Sequence, residues 1–551
     1  MKKISLILFL LAFLYPRLQA QLLSYEEIAE YNISELQTIA DDLGVFPGVI
    51  SYNHEVKVYK VLYQMDDTND EPIQVSGALV VPQNTSCGLP IASYQHGTII
   101  RKTSVPSQLS AELDIGLLYA TNGMVLTMPD YQGLGESPGL HPYIHAESEA
   151  RAVAGLILAA QQLADTLNFP LNEQLFLFGY SQGGHATMAA HRYIQQELAG
   201  ALTVTASSPM AGPYDVSGVQ ANVITADVSY PTPNYLPYIL FAYQSVYGNL
   251  YSDPSDVLIP PYDTLLPPLF DGTFSSFQVD AVMPSIPNRI LKPEVLDSFR
   301  NDPNHRIRVA LRDNDVYDWT PEAPIRLVYC MGDDQVSFEN SIVARDQFMA
   351  NGVVDVETLD LGDSDHVDCA FLAIISGLGF FKRFWEENNF ISVDAAEVSG
   401  STGMDGSISV TASGGVGELS YSWSNGGTTA MIDGLTAGTY TLVLSDATGC
   451  SIEQRYRVDM LTSVQTLAEG QPLRLSPNPA RDWLEVVLPE AGRAADVRLF
   501  DMRGRRVVVA AEQRSSGLTL DLGGLQPGLY VLELQQGAQR YVGKFAILRA
   551  H

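Results

Sequence analysis

Apolar residues fall into two regimes along this 551-residue chain. Up to about residue 390, short apolar runs alternate with longer amphipathic stretches. Leu89–Gln95, Met124–Pro129, Gln174–Leu177, Leu202–Ser207, Ile325–Cys330 and Val353–Leu361 show the first pattern, that of buried strands. Gly183–Leu198 and Val367–Asn388 show the second and predict helices. Strands interleaved with helices predict an α/β fold. Beyond Asn389 the runs become short, β-branched and period-two: Gly406–Val410, Leu419–Trp423 and Gly438–Leu444, separated by Gly, Ser, Thr and Asn turns. That pattern predicts a small all-β sandwich over 393–460, and a further β-pattern fills 466–551.

The N-terminus reads as a signal peptide, residues 1–20. Met1-Lys2-Lys3 is basic, Ile4–Leu14 is apolar, and Ala20 precedes a cleavage point at Gln21. Eleven apolar residues cannot span a bilayer and no other run is long enough, so no transmembrane segment is expected in the mature chain. The net charge of −31 argues against nucleic acid and against an anionic membrane surface. From Thr466 onward eleven Lys/Arg accompany nine Asp/Glu, so the acidity lies upstream and the tail reads as a separate unit. The acidic cluster Asp66–Glu71 lacks the spacing of a calcium loop and predicts a polar hairpin turn.

The candidate chemistry centres on Phe178-Gly179-Tyr180-Ser181-Gln182-Gly183-Gly184-His185, a G-x-S-x-G sequence between a strand and a helix. A serine at such a corner is strained into a sharp turn. Residues two before and two after it must therefore lack a Cβ, and here they are Gly179 and Gly183. Ser181 is the candidate nucleophile, and the amide of Gln182 at the helix start is a candidate oxyanion donor. A nucleophilic serine needs an acid and a base downstream. Asp333 and Asp334 follow the strand ending at Cys330 and are the candidate acids. His366 is the only histidine between them and the terminal His551. It is expected in the loop before an apolar helix. His96-Gly97-Thr98 follows the strand Leu89–Gln95 and makes the Thr98 amide the second oxyanion candidate, with His96 as a packing residue. The glycine-rich block Pro129–Ser137 has no phosphate-binding spacing and reads as a wall of the crevice.

Together, Q-H-G-T, P-D-Y-x-G-x-G-x-S, H-P-Y, G-Y-S-Q-G-G-H-A, D-x-x-V and D-H resemble the secretory lipase/esterase branch of the α/β-hydrolase superfamily, over about Leu43–Asn388. The resemblance implies an α/β-hydrolase domain at 21–390. It implies cleavage of carboxylic esters with Ser181, Asp333 and His366 as triad, and no metal or organic cofactor. It also implies that the Pro- and Tyr-rich insertion at about 212–324 is a cap over the site. An expected disulfide joins Cys330 to Cys369, whose loops the triad draws together, leaving Cys87 and Cys450 unpaired.

S-Y-x-W-S-N-G, L-x-A-G-x-Y-T-L and D-x-x-G-C resemble the repeat of bacteroidete gliding adhesins. The segments Leu475–Pro479, Val497–Arg505 and Leu525–Leu532 resemble the C-terminal sorting domain of type IX secretion cargo. Those resemblances imply the type IX secretion machinery as partner and a secreted or cell-surface location in a Gram-negative bacterium. Few apolar residues flank Asn389, so the linkage to the sandwich is expected to be loose. The alternatives are a serine peptidase, for which Asp253 and Asp256 are weak candidate amine anchors, and a non-catalytic surface binding protein.

Overall fold

The computed structural model describes residues 21–385 except 47, residues 391–460 except 402, and a discontinuous set between 473 and 547. The expected signal peptide, 1–20, and the residues around Asn389 lie outside the described residues. The chain divides into two compact units. The first runs to Val398 and takes in Ile408–Asp433 and Thr439–Arg457; the second holds Ser399–Ser407, Gly434–Gly438 and the chain from Val458.

The first unit is organised by a nine-stranded sheet. Its strands are β1 (Gln21–Tyr31), β2 (Val56–Asp66), β3 (Pro72–Pro82), β4 (Leu89–Gln95), β5 (Val125–Pro129), β6 (Leu171–Tyr180), β7 (Ala206–Met210), β8 (Ile325–Tyr329) and β9 (Val356–Asp360). They lie in the order β1-β2-β3-β5-β4-β6-β7-β8-β9. Pairings from β1 to β5 are antiparallel, and those from β5 to β9 are parallel. The β2–β3 turn is the expected polar one, with Asp67 Oδ1 accepting the amides of Asn69 and Glu71. β7 begins later than its apolar run because Leu202 and Val204 pack into the core before the chain enters the sheet. β1 has no apolar run to betray it: it is a largely exposed edge strand carrying Ser24, Glu26, Glu27 and Glu30.

Helices cover both faces. They are α1 (Ile33–Asp42), α2 (Leu113–Thr121), α3 (Ala146–Leu167) and α4 (Gln182–Glu197), with α11 (Glu339–Ala350) and α12 (His366–Phe381) later in the chain. The pleat of β6 shows the layering. Leu175 and Leu177 join the core under α3, α4 and α11, whereas Phe176, Phe178 and Tyr180 join the one under α1, α2 and α12. Between β7 and β8 the insertion folds as short helices α5 (Ala221–Ile224), α6 (Tyr235–Tyr247), α7 (Tyr262–Leu265), α8 (Ser276–Asp280), α9 (Pro293–Asn301) and α10 (Arg306–Arg312). They share a core of their own around Leu236, Tyr238, Phe241, Phe270, Phe299 and Leu311.

Strands from Ile391 to Val458 form two three-stranded sheets. Residues of this segment that belong to the first unit are tied to loops of the large sheet, which corrects the expected loose linkage. Ser392 Oγ accepts from Asn53 Nδ2 at 3.1 Å, and the Val393 amide donates to Asn53 Oδ1 at 3.0 Å. The Ser86 amide donates to the Ser451 carbonyl, and the Glu453 amide to that of Asn84, both at 2.9 Å. Cys87 and Cys450, expected unpaired, form a disulfide with Cα atoms 4.5 Å apart. The D-x-x-G-C sequence aims it: Asp446 Oδ1 accepts the amides of Thr448 and Cys450, and Gly449 takes φ +92°. In the second unit, strands between Leu475 and Ile547 form two four-stranded antiparallel sheets over Leu484, Val486, Leu520, Leu532 and Phe545.

Candidate active site

Ser181 sits where β6 gives way to α4, with φ 61° and ψ −123°, in the left-handed half of backbone space that a side chain rarely occupies. The turn is held open by glycine. A Cβ on Gly179 would stand 2.5 Å from the carbonyls of Gln95 and Gly183, and one on Gly183 would strike the Gln95 carbonyl. The Ser181 amide donates to the Met210 carbonyl at 2.9 Å, and its own carbonyl accepts the amides of Gly184 and His185. Gln182 opens α4, so its amide has no intrahelical partner.

Asp333 and His366 meet across the ends of β8 and β9. His366 Nδ1 lies 2.7 Å from Asp333 Oδ2, and Asp333 Oδ1 accepts the amides of Gln335 at 3.0 Å and Val336 at 2.7 Å. The Asp333 side chain is fully buried. Its neighbour Asp334 instead accepts the His366 backbone amide at 3.3 Å. His366 is the first residue of α12 rather than part of the preceding loop, because Asp365 caps the helix by accepting the amides of Val367 and Asp368. Tyr180, one residue before Ser181, donates its hydroxyl to the His366 carbonyl at 2.7 Å, and the two rings lie 4.9 Å apart. The Cys330–Cys369 disulfide joins the same two segments, with Cα atoms 6.2 Å apart.

The Thr98 loop lies beside the serine: a Cβ on Gly97 would stand 3.9 Å from Ser181 Cβ. Tyr143 and the cap residue Tyr238 fix this loop. Thr98 Oγ1 and the Tyr143 hydroxyl are 3.0 Å apart, Tyr143 stacks on Tyr238 at 4.4 Å, and Tyr238 donates to the Ile99 carbonyl. His96 is buried against Tyr131 at 4.3 Å, as a packing residue. In the block after β5, the buried Asp130 binds the hydroxyls of Ser76 and Ser107 and clamps the crevice wall. Burial raises its carboxyl above the usual range. Sequence reading missed Gln335, whose carbonyl accepts from Gln220 and Tyr230 and whose Oε1 accepts from Tyr235, tying the Asp333 loop to the cap. Asp253 and Asp256 are spent on capping their own exposed turn.

Ser181 and Gln182 line a cleft that runs into the cap. Its walls are almost wholly apolar, with Tyr143, Val216, Ile239, Leu291, Phe299 and Val336 among them. That apolar character is the one expected of a small-molecule site.

Comparison with known proteins agrees with this architecture. Residues 474–548 match the family described as the secretion system C-terminal sorting domain. No curated protein matches the chain. Among solved structures, a Legionella pneumophila protein assigned as a hydrolase is 26% identical with a TM-score of 0.61, covering 66% of this chain and 98% of its own. The rice cell wall degrading esterase LipA of Xanthomonas oryzae is 27% identical with a TM-score of 0.59, covering 66% and 97%. Candida antarctica lipase A, at 16% identity and a TM-score of 0.52 over 66% and 81%, shares the fold. The N-terminal two thirds of the chain therefore carry the α/β-hydrolase fold, in the company of esterases and lipases, and the C-terminal segment matches a secretion sorting domain.

Proposed function

We propose that this protein is an exported serine hydrolase of carboxylic esters. The observation that carries the reading is a strained, glycine-flanked Ser181 opening onto an apolar cavity, with the His366–Asp333 pair held beside it through Tyr180. Ser181 Oγ attacks the ester carbonyl while His366 Nε2 takes its proton, and Asp333 holds the imidazole by its Nδ1–H. The amides of Thr98 and Gln182 stabilise the tetrahedral oxyanion. Its collapse breaks the C–O bond to the alcohol, which leaves with the proton from His366. Water, activated by the same histidine, then releases the acid from Ser181. The apolar cap cavity suits the acyl chain.

A peptidase would need an anchor for a charged amine, and the two carboxylates offered for it are occupied in their own turn. The sorting-domain match supports passage through the type IX machinery to the cell surface or medium. Two disulfides suit an oxidising compartment. The 393–460 segment, with its adhesin-like repeat, is read as an accessory module of the enzyme. Ser181→Ala should lower hydrolysis of p-nitrophenyl esters by about 10⁴-fold or more with the melting temperature unchanged. Near-normal turnover in that variant would sink the mechanism, and a series of acyl lengths would map the cavity.

A further inference from the structure

A buried polar network lies behind the elbow. Glu149 on α3 and His185 on α4 have no exposed side-chain surface, and His185 Nδ1 lies 2.7 Å from Glu149 Oε2. His185 Nε2 faces the Asn314 carbonyl at 2.9 Å. The Asn314 carbonyl takes the Nε2–H, so His185 Nδ1 and Glu149 Oε2 share one proton between them. The other carboxylate oxygen, Glu149 Oε1, accepts from the Gln182 side-chain amide at 2.8 Å. The second Gln182 Nε2 proton goes to His141 Nε2 at 2.7 Å. His141 can accept it because burial holds its pKa down at about 3, and its Nδ1 donates to the Gln132 carbonyl at 2.8 Å. Both amide protons are thus committed, and Gln182 Oε1 is left buried without a partner. A buried orphan acceptor costs stability, and one kept beside a reactive centre points to a requirement on geometry.

We infer that Glu149 and His185 form a positioning pair for the oxyanion hole, gripping Gln182 by its side chain so that its backbone N–H stays aimed at the developing charge. The inference rests on the Ser181 reading. Neither residue touches substrate. The two act together, since the bond from His185 fixes the carboxylate that holds Gln182.

The test uses the full-length protein with Gln182→Ala, Glu149→Ala and Glu149→Gln, a short p-nitrophenyl ester, and a trifluoromethyl ketone whose adduct with serine carries the oxyanion. Gln182→Ala keeps the amide but removes the grip. It and Glu149→Ala should lower kcat by about 10- to 100-fold with KM changed less than about twofold, and should weaken the ketone by the same factor. Glu149→Gln can still accept from Gln182 and donate to a neutral His185, so it should keep most of kcat and of ketone affinity. Wild-type kcat and ketone affinity in Gln182→Ala would overturn the inference, and that variant decides if Glu149→Ala does not fold. Equal losses of ester and ketone binding in all three variants would also overturn it, as a merely structural role. An active Ser181→Ala would remove the underlying reading; an inactive one beside an unaffected Gln182→Ala removes the positioning pair alone.

Discussion

Asp333 and Asp334 are adjacent in the chain but hold different parts of His366. Asp333 meets the imidazole, whereas Asp334 meets only the backbone amide. Asp333→Asn should therefore cost about 10⁴-fold in kcat, and Asp334→Asn less than about tenfold, in steady-state ester hydrolysis. Equal losses would mean that the two carboxylates share the role. The sequence spoke clearly for Ser181 because its constraint is local: the turn demands Gly179 and Gly183 within two residues. Asp333 and His366 were reachable through chain order. Glu149 was not, because its partners lie 33 and 36 positions away and only packing joins them. One signal was available: Gln182 and His185, at i and i+3, share a face of an apolar-flanked helix.

At the scale of elements, the two ends of the cap are joined by a polar contact that responds to pH. Asp315, after α10, accepts the amide and hydroxyl of Ser217 at 2.9 and 2.6 Å. Burial, the main cause, pushes its carboxyl up to about 6 from an ordinary value of 3.8. The fold therefore favours the protonated acid. This contribution to stability is complete below about pH 4 and is lost as pH rises through about 6, where the buried group must ionise. Denaturant unfolding of wild type and Asp315→Asn at pH 5 and pH 8 should show wild type losing ground to the variant by on the order of 1 kcal/mol. A pH-independent difference would refute the assignment. The cap was visible in the sequence as a change of composition, but its helices were not. Runs of four to thirteen residues broken by proline leave little periodicity to read. Tyr235 and Tyr238 turned out to serve two ends, packing the cap while bonding Gln335 and Ile99 near the serine.

Across the whole molecule, Ile408–Asp433 and Thr439–Arg457 share a compact unit with the α/β-hydrolase fold instead of trailing behind it. Ending the chain at Ser392 removes Cys450, Glu453 and Gln454, which hold Cys87, Asn84 and Asn53. Such a protein should melt several degrees lower than one ending at Thr462, and the Cys87→Ser/Cys450→Ser pair should lose on the order of 3–5 kcal/mol. Matching melting curves for the two chain lengths would restore the loose linkage expected from sequence. That expectation failed because the stitching joins residues more than 330 positions apart, and isolated polar side chains such as Asn53 and Ser392 give no hint of one another. The Cys87–Cys450 bond also makes a covalent ring. Thr98, Ser181, Asp333 and His366 all lie inside it. A protease that nicks the chain once beside the exposed Phe277 of α8 would separate Ser181 from Asp333 and His366 in the polypeptide but leave both halves bound to each other. Such clipped enzyme should run as one species on a non-reducing gel and as two after reduction. It should go on hydrolysing esters until a reductant, rather than the protease, takes it apart.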